Sequence, residues 1–247
     1  MKPRSSALAL IVLSSAAPVL EAGEIRGVVR THRPQGFTTD KAGKKIKDPR
    51  LMVRQGKLAN AIIRLEGVEA PRAAPAAAKV TLEDQRFAPH VVVVRAGGVV
   101  EVVNHSDQPM AVRLSSHKNP SAFEGVEPGG TLEFEFPRAF DIAELKEACC
   151  WTWASMRVVV ARHGYVTTTD ADGAFSLKGI PPGTYRLRVY HDLIKRGAFV
   201  ASATLSKAPA GQQQAKPVAL GAQAKGGFTV TIPKGADLDV AIAEKKP

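Results

Sequence analysis

Two cysteines stand side by side, Cys149 and Cys150, and they are the only thiols in the chain. Disulfides that staple an exported domain join cysteines spaced apart, whereas adjacent cysteines close only a small strained ring. These two therefore serve either as a metal thiolate or as buried packing. His191 beside Asp192 has the composition of a catalytic dyad. No Gly-x-Ser-x-Gly elbow or other nucleophile motif accompanies it, so it reads as surface or strand-end packing. Asp170, Asp172 and Gly173 resemble the opening of a calcium loop but lack its later ligands and closing Glu. Asp and Gly supply the backbone angles of a tight turn, so this is a hairpin. The chain has no Gly-rich phosphate loop, His-Glu-x-x-His motif or spaced cysteine pairs. An enzyme is the least supported class.

The elements that would position these residues are short strands separated by turn residues. Leu132, Phe134 and Phe136 alternate with Glu133 and Glu135, a half-buried strand. Val91–Val94 is an uninterrupted apolar run, as a strand covered on both faces would be. Asp141–Ala148 suits a helical turn as well as a strand. Pro181-Pro182-Gly183 is a strong turn, and Tyr185, Leu187 and Val189 alternate after it. The polar end of the tail beyond Gly235 is expected to fray. Many short strands with regular turns predict an all-β chain of sandwiches or barrels.

With 247 residues, 45% of them apolar and 23% charged, the chain can bury one large or two small cores. Lys2 and Arg4, the apolar run Ala7–Leu13 and the small residue of Leu20-Glu21-Ala22 form a secretory signal over residues 1–22. The mature protein then begins near Gly23 and is periplasmic or secreted. No later stretch is long and apolar enough to span a membrane. The formal charge is +11, and much of the excess lies at residues 41–57, where seven Lys and Arg face Asp48 alone. This basic insert is a solvated loop or a contact for an anionic envelope surface. Without interleaved aromatics, and in an exported protein, it does not point to nucleic acid.

Two segments carry a family resemblance. The phrase RFAPHVVVVRAGGVVEVVNHSDQPMAV and the later CCWTWASM resemble cupredoxins of the plastocyanin type, with Asn104, Asp107, Pro109 and Val112 at the expected places. VTTTDADGAFSLKGIPPGTYRLRV resembles the carboxypeptidase regulatory-like, or prealbumin-like, sandwich, and ANAIIRLEGV looks like the opening of such a module. Exported bacterial proteins of the methylamine-utilisation-like kind join the two. The resemblance implies a cupredoxin-like sandwich over 79–162 and a regulatory-like module over 163–247. Residues 23–78 hold strands and the basic insert, and could join that module.

A cupredoxin copper site takes two imidazoles, one thiolate and a weak axial thioether. The family's first His position is Met110 here. Its Cys, His and Met positions fall on Cys150, Trp153 and Met156. Both imidazoles are thus replaced, which removes the main nitrogen donors for Cu(II). His105 and His117 are the nearest substitutes in sequence. The expectation is a non-enzymatic binding or interaction protein of the envelope without a cofactor, its pocket filled by Met and Trp. The alternative is a copper protein in which Met110, Cys150 and Met156 form a soft set for Cu(I), with Cys149 as an added thiolate.

Overall fold

The computed structural model describes residues 22–40, 42–69, 74–75, 77–84, 86–148, 153–195, 197–207, 218–223 and 227–246. Every regular element among them is a strand. The first group is β1 (Gly23–Arg30), β2 (Phe37–Thr39), β3 (Lys45–Lys47), β4 (Val53–Arg54), β5 (Lys57–Leu58) and β6 (Ile62–Glu66). The middle group is β7 (Ala78–Glu83), β8 (Arg86–Ala88), β9 (Val91–Arg95), β10 (Gly98–Asn104), β11 (Met110–Ser115), β12 (Ala122–Val126), β13 (Thr131–Phe136), β14 (Asp141–Glu147) and β15 (Ser155–Ala161). The last is β16 (Val166–Thr168), β17 (Ala174–Ile180), β18 (Gly183–Tyr190), β19 (Phe199–Lys207), β20 (Val218–Ala219), β21 (Ala222–Gln223), β22 (Gly227–Ile232) and β23 (Asp237–Glu244).

The middle group closes on itself. The sheet β13-β10-β7-β8 faces the sheet β12-β11-β14-β15-β9 across a core that includes Val80, Leu82, Phe87, Phe134, Phe136, Leu145 and Met156. The first and last groups interleave. β1 lies between β17, antiparallel, and β23, parallel, while β6 pairs with β16 and β18. One sandwich therefore interrupts another, whose core includes Ile25, Ile63, Leu65, Phe175, Leu187, Phe228 and Val240. Which sheet the opening strands would join was not legible in the sequence; they join the strands of the C-terminal segment.

The two sandwiches stack. Alternate side chains of a strand face opposite layers. In β9, Val92 and Val94 enter the middle core, while Val91 and Val93 face outward. In β15, Met156, Val158 and Val160 point in, while Val159 and Ala161 point out. In β6, Ile63 and Leu65 point into their own sandwich and Ile62 points out. The outward residues meet in a third apolar cluster of Ile62, Val91, Val159, Ala161 and Val166. The run Val91–Val94 is thus a strand covered on both faces.

Two expectations are corrected and one open alternative is resolved. Asp170–Gly173 is a tight turn but not a hairpin: β16 pairs with β6 and β17 with β1, in different sheets, so the turn carries the chain from one sheet to the other. The tail beyond Gly235 does not fray: β23 is a central strand between β1 and β19, and its alternating Leu238, Val240 and Ile242 are buried. Asp141–Glu147 is a strand, not a helical turn, because Asp141, Ala143, Leu145 and Glu147 take the period of two that faces a core. In the basic insert, β2 and β3 form a separate hairpin with Lys45 Nζ 4.3 Å from the Phe37 ring centre.

Candidate functional site

Asn104 ends β10 fully buried, and its side chain builds one pole of the middle sandwich. Its amide nitrogen donates to Gln108 O at 2.8 Å and Val126 O at 3.1 Å. Its amide oxygen accepts from Ser106 N at 3.0 Å and Ser106 Oγ at 2.6 Å. These bonds fix the loop that delivers Met110 to the start of β11, where it pairs with Val126. Met110 is 4% exposed and Met156, opposite Leu145 in β15, is 0% exposed. Both belong to one apolar core, and Trp153 packs against it. Trp153 Nε1 is buried and makes no hydrogen bond among the described residues. Glu147, which the sequence reading passed over, is fully buried at the inward-facing end of β14, opposite Val112.

The structure brings Met110 and Met156 into the same core. Cys149 and Cys150 lie outside the described residues. His105 is at the rim: its side chain is 45% exposed and its Nδ1 lies 3.8 Å from Glu83 Oε2. His117 is exposed and follows the opposite end of β11, roughly 17 Å of strand away from Met110. Among the described residues no group of three or more His, Cys, Asp or Glu converges for a metal. At Met110 and Trp153, where the cupredoxin resemblance implies imidazoles, the chain carries a thioether and an indole, neither of which is a nitrogen donor of the kind Cu(II) takes.

A second polar centre lies where the two sandwiches meet. Arg157, facing outward from β15, donates through Nε to both oxygens of Asp192 at 2.9 Å. Its Nη1 lies 3.2 Å from Glu144 Oε1. His90 makes a 2.9 Å contact from Nδ1 to Ser155 O, and its Nε2 lies 3.4 Å from Asp192 Oδ2. Tyr190 donates its hydroxyl to Asp192 Oδ1 at 3.3 Å. The side chains of His90 and Asp192 are 4% and 7% exposed. Burial pushes the Asp192 carboxyl up, but the close approach of His90 and the charge and hydrogen bonds of Arg157 outweigh it and hold the pKa down to about 2. Next to it, His191 is 2% exposed. Burial, against the opposing pull of Asp192, lowers its pKa to about 4. His191-Asp192 is therefore at a strand end, as expected, but sealed rather than at the surface.

These two shifts make the fold acid-sensitive in two windows. Unfolded His191 takes up a proton near 6.5 and the folded residue only near 4. The unfolded state binds more protons between these values, so stability falls as pH drops through them, by about 3 kcal/mol. Asp192, with its ordinary 3.8 lowered to about 2, contributes stability above 3.8 that is lost on further acidification through 2. Denaturant midpoints measured from pH 7 to pH 4 should fall, and His191→Gln should flatten that slope. An unchanged slope in the variant would remove His191 as its cause.

Comparison with known proteins matches residues 160–206 to the family described as polysaccharide lyase family 4, domain II. No curated protein matches the chain in sequence. Among solved structures, a purple cupredoxin from Nitrosopumilus maritimus is similar, with 12% identity and a TM-score of 0.30, covering 34% of this chain and 99% of its own. Two methionine-to-alanine mutants of amicyanin in the Cu(I) form are also similar. One has 17% identity and a TM-score of 0.31, covering 40% of this chain and 97% of its own. The other has 18% identity and a TM-score of 0.31, covering 41% and 98%.

Proposed function

We propose that this is an exported, non-enzymatic binding protein of the cell envelope, periplasmic or secreted. In this reading a cupredoxin-type sandwich, its copper pole converted to packing, is inserted in a prealbumin-like sandwich. The observation that supports it is the pole itself. Met110 and Met156 are buried members of an apolar core, and Trp153 packs against that core from the family's second His position. Thioether and indole groups fill such a space well and leave no nitrogen donor for Cu(II). The match of 160–206 to a domain of a polysaccharide lyase family is compatible with a polymer of the envelope as ligand. The Cu(I) alternative is kept for one reason: two soft sulfurs share that core.

Visible absorption during Cu(II) addition tests this. The expected spectrum has no strong thiolate-to-copper band, in the intact protein or in Cys150→Ser. A band of one equivalent that Cys150→Ser abolishes would restore an electron-transfer role and end the packing account.

A further inference from the structure

The basic insert carries a fixed element. β2 and β3 form a two-stranded ribbon that joins no other sheet, with Phe37 opposite Lys47, Thr38 opposite Ile46 and Thr39 opposite Lys45. A lone ribbon is marginal in water, so its base has to be tied down. Gly36 N donates to Leu51 O at 3.0 Å, and Asp48 N donates to Gly36 O at 3.0 Å. Gln35 closes the same end: its Nε2 donates to Leu51 O at 2.9 Å and its Oε1 accepts from Val53 N at 2.9 Å. Leu51 and Val53 pack against the core that holds Ile25 and Phe175. At the tip, Asp40 N donates to Lys44 O at 2.9 Å and Gly43 takes a φ of 78°.

Paired residues of such a ribbon share a face. Phe37, Thr39, Lys45 and Lys47 are all exposed, whereas Thr38 and Ile46 on the other face are half-buried. Phe37 is 51% exposed, and Lys45 Nζ lies 4.3 Å from its ring centre. Residues 41–57 have no aromatic of their own, yet strand pairing brings one from β2 among their lysines. Other cations of the insert are answered, Arg50 by Asp48, and Arg54 and Lys57 by Asp172. Lys44, Lys45 and Lys47 form no ion pair among the described residues. Asp40 is the one acid in residues 37–47, against four lysines, and its Oδ1 accepts from Lys44 N at 2.8 Å. The ribbon therefore keeps a positive charge after its acid is counted.

We infer that the exposed face of this ribbon rests on an anionic lipid surface, with the Phe37 ring entering between headgroups and Lys44, Lys45 and Lys47 paired to lipid phosphates. The inference rests on the envelope reading above and names one partner for it. A ring beside lysines suits a membrane interface: the ring leaves water at headgroup level while the ammonium groups stay among the phosphates. Lysine carries a point charge on a flexible stem, which follows mobile headgroups. Strands of three residues offer too short an edge for a peptide to add to.

Sedimentation of the chain from Gly23 with lipid vesicles tests it. That chain keeps every described strand and lacks the apolar run Ala7–Leu13, which would itself seek lipid. Vesicles of equal phosphatidylglycerol and phosphatidylcholine should retain it at low salt, and pure phosphatidylcholine should not. Salt at about 0.5 M should release it. Lys45→Ala and Lys47→Ala should each weaken partitioning about fivefold, the worth of one cation at such a surface. Phe37→Ala should also weaken it roughly fivefold, for the half of the ring still open to water. Phe37→Trp should shift its emission to the blue on the anionic vesicles and be quenched by brominated acyl chains. These side chains are exposed, so the changes leave the fold intact. No retention on anionic vesicles, retention that Phe37→Ala leaves unchanged, or equally tight binding of soluble polyphosphate would overturn the inference. If neither vesicles nor copper bind, the ribbon assignment falls alone. If copper binds stoichiometrically and vesicles do not, the binding reading falls with it.

Discussion

Asp192→Ala should destabilise the protein by about 3 kcal/mol, within the range for breaking one side of a buried ion pair. For a chain of this size that is roughly 10 °C in melting temperature. The side chain is 7% exposed and meets Arg157, His90 and Tyr190. Removing it leaves Arg157 Nε without the two carboxylate oxygens it donates to and His90 Nε2 without the carboxylate 3.4 Å away. The loss falls on the contact that joins β15 and His90 of the inserted sandwich to the end of β18 in the other. Because Arg157 and Asp192 act as a unit, the double variant Arg157→Ala/Asp192→Ala should cost less than the sum of the two single changes. Chemical denaturation of the three variants checks both statements. Additive costs would show that the pair does not couple the sandwiches.

Gly27→Val should be at least as damaging, about 3 kcal/mol or more, at the upper end for overpacking a well-filled core. Gly27 sits mid-strand in β1 between Ile25 and Val29, which point into the core. A Cβ there would lie 2.0 Å from Val240 O and 2.9 Å from the Phe175 ring. The first is backbone of the parallel partner β23, so relief requires the strands to part. The Phe175 ring already occupies the space a side chain would need. Expression and thermal unfolding of Gly27→Val and Gly27→Ala report this, with the alanine variant also destabilised. A variant as stable as the parent would mean that β1 does not pair as described.

The half-buried strands were legible because their signal is local. Leu132, Phe134 and Phe136 alternate, and all three are buried in β13. The tight turn at Asp170–Gly173 was legible for the same reason: Asp170 Oδ1 accepts from Asp172 N and Ala174 N at 2.8 and 2.9 Å, and Gly173 has φ 67°. That it would not close a hairpin was not, because β16 and β17 take partners in different sheets. What was not legible depends on partners far away in sequence. Glu24 N donates to Asp237 Oδ1 across 213 positions, and nothing near Gly235 announces that β1 will cover the tail. β12 went unread because its pattern is mostly exposed, with Val126 alone buried.

The candidate site divides the same way. Met110, Trp153 and Met156 could be singled out from motif spacing, and the structure places all three at one core. Glu147 was hidden in a segment that equally suited a helix. His191 and Asp192 were set aside for want of a nucleophile motif, and the partners of Asp192, His90 and Arg157, belong to the other sandwich, where no local pattern announces them.

The central claim is that Met110, Trp153 and Met156 pack and do not ligate. Competition for Cu(I) against a strong chelator under reducing conditions, with the full chain, Cys150→Ser and Met156→Leu in parallel, tests it most directly. The account predicts that no variant takes copper from the chelator and that Met156→Leu, a volume-conserving change, costs less than about 1.5 kcal/mol of stability. One equivalent of Cu(I) bound by the full chain and lost in both variants would contradict it and make this a copper-handling protein.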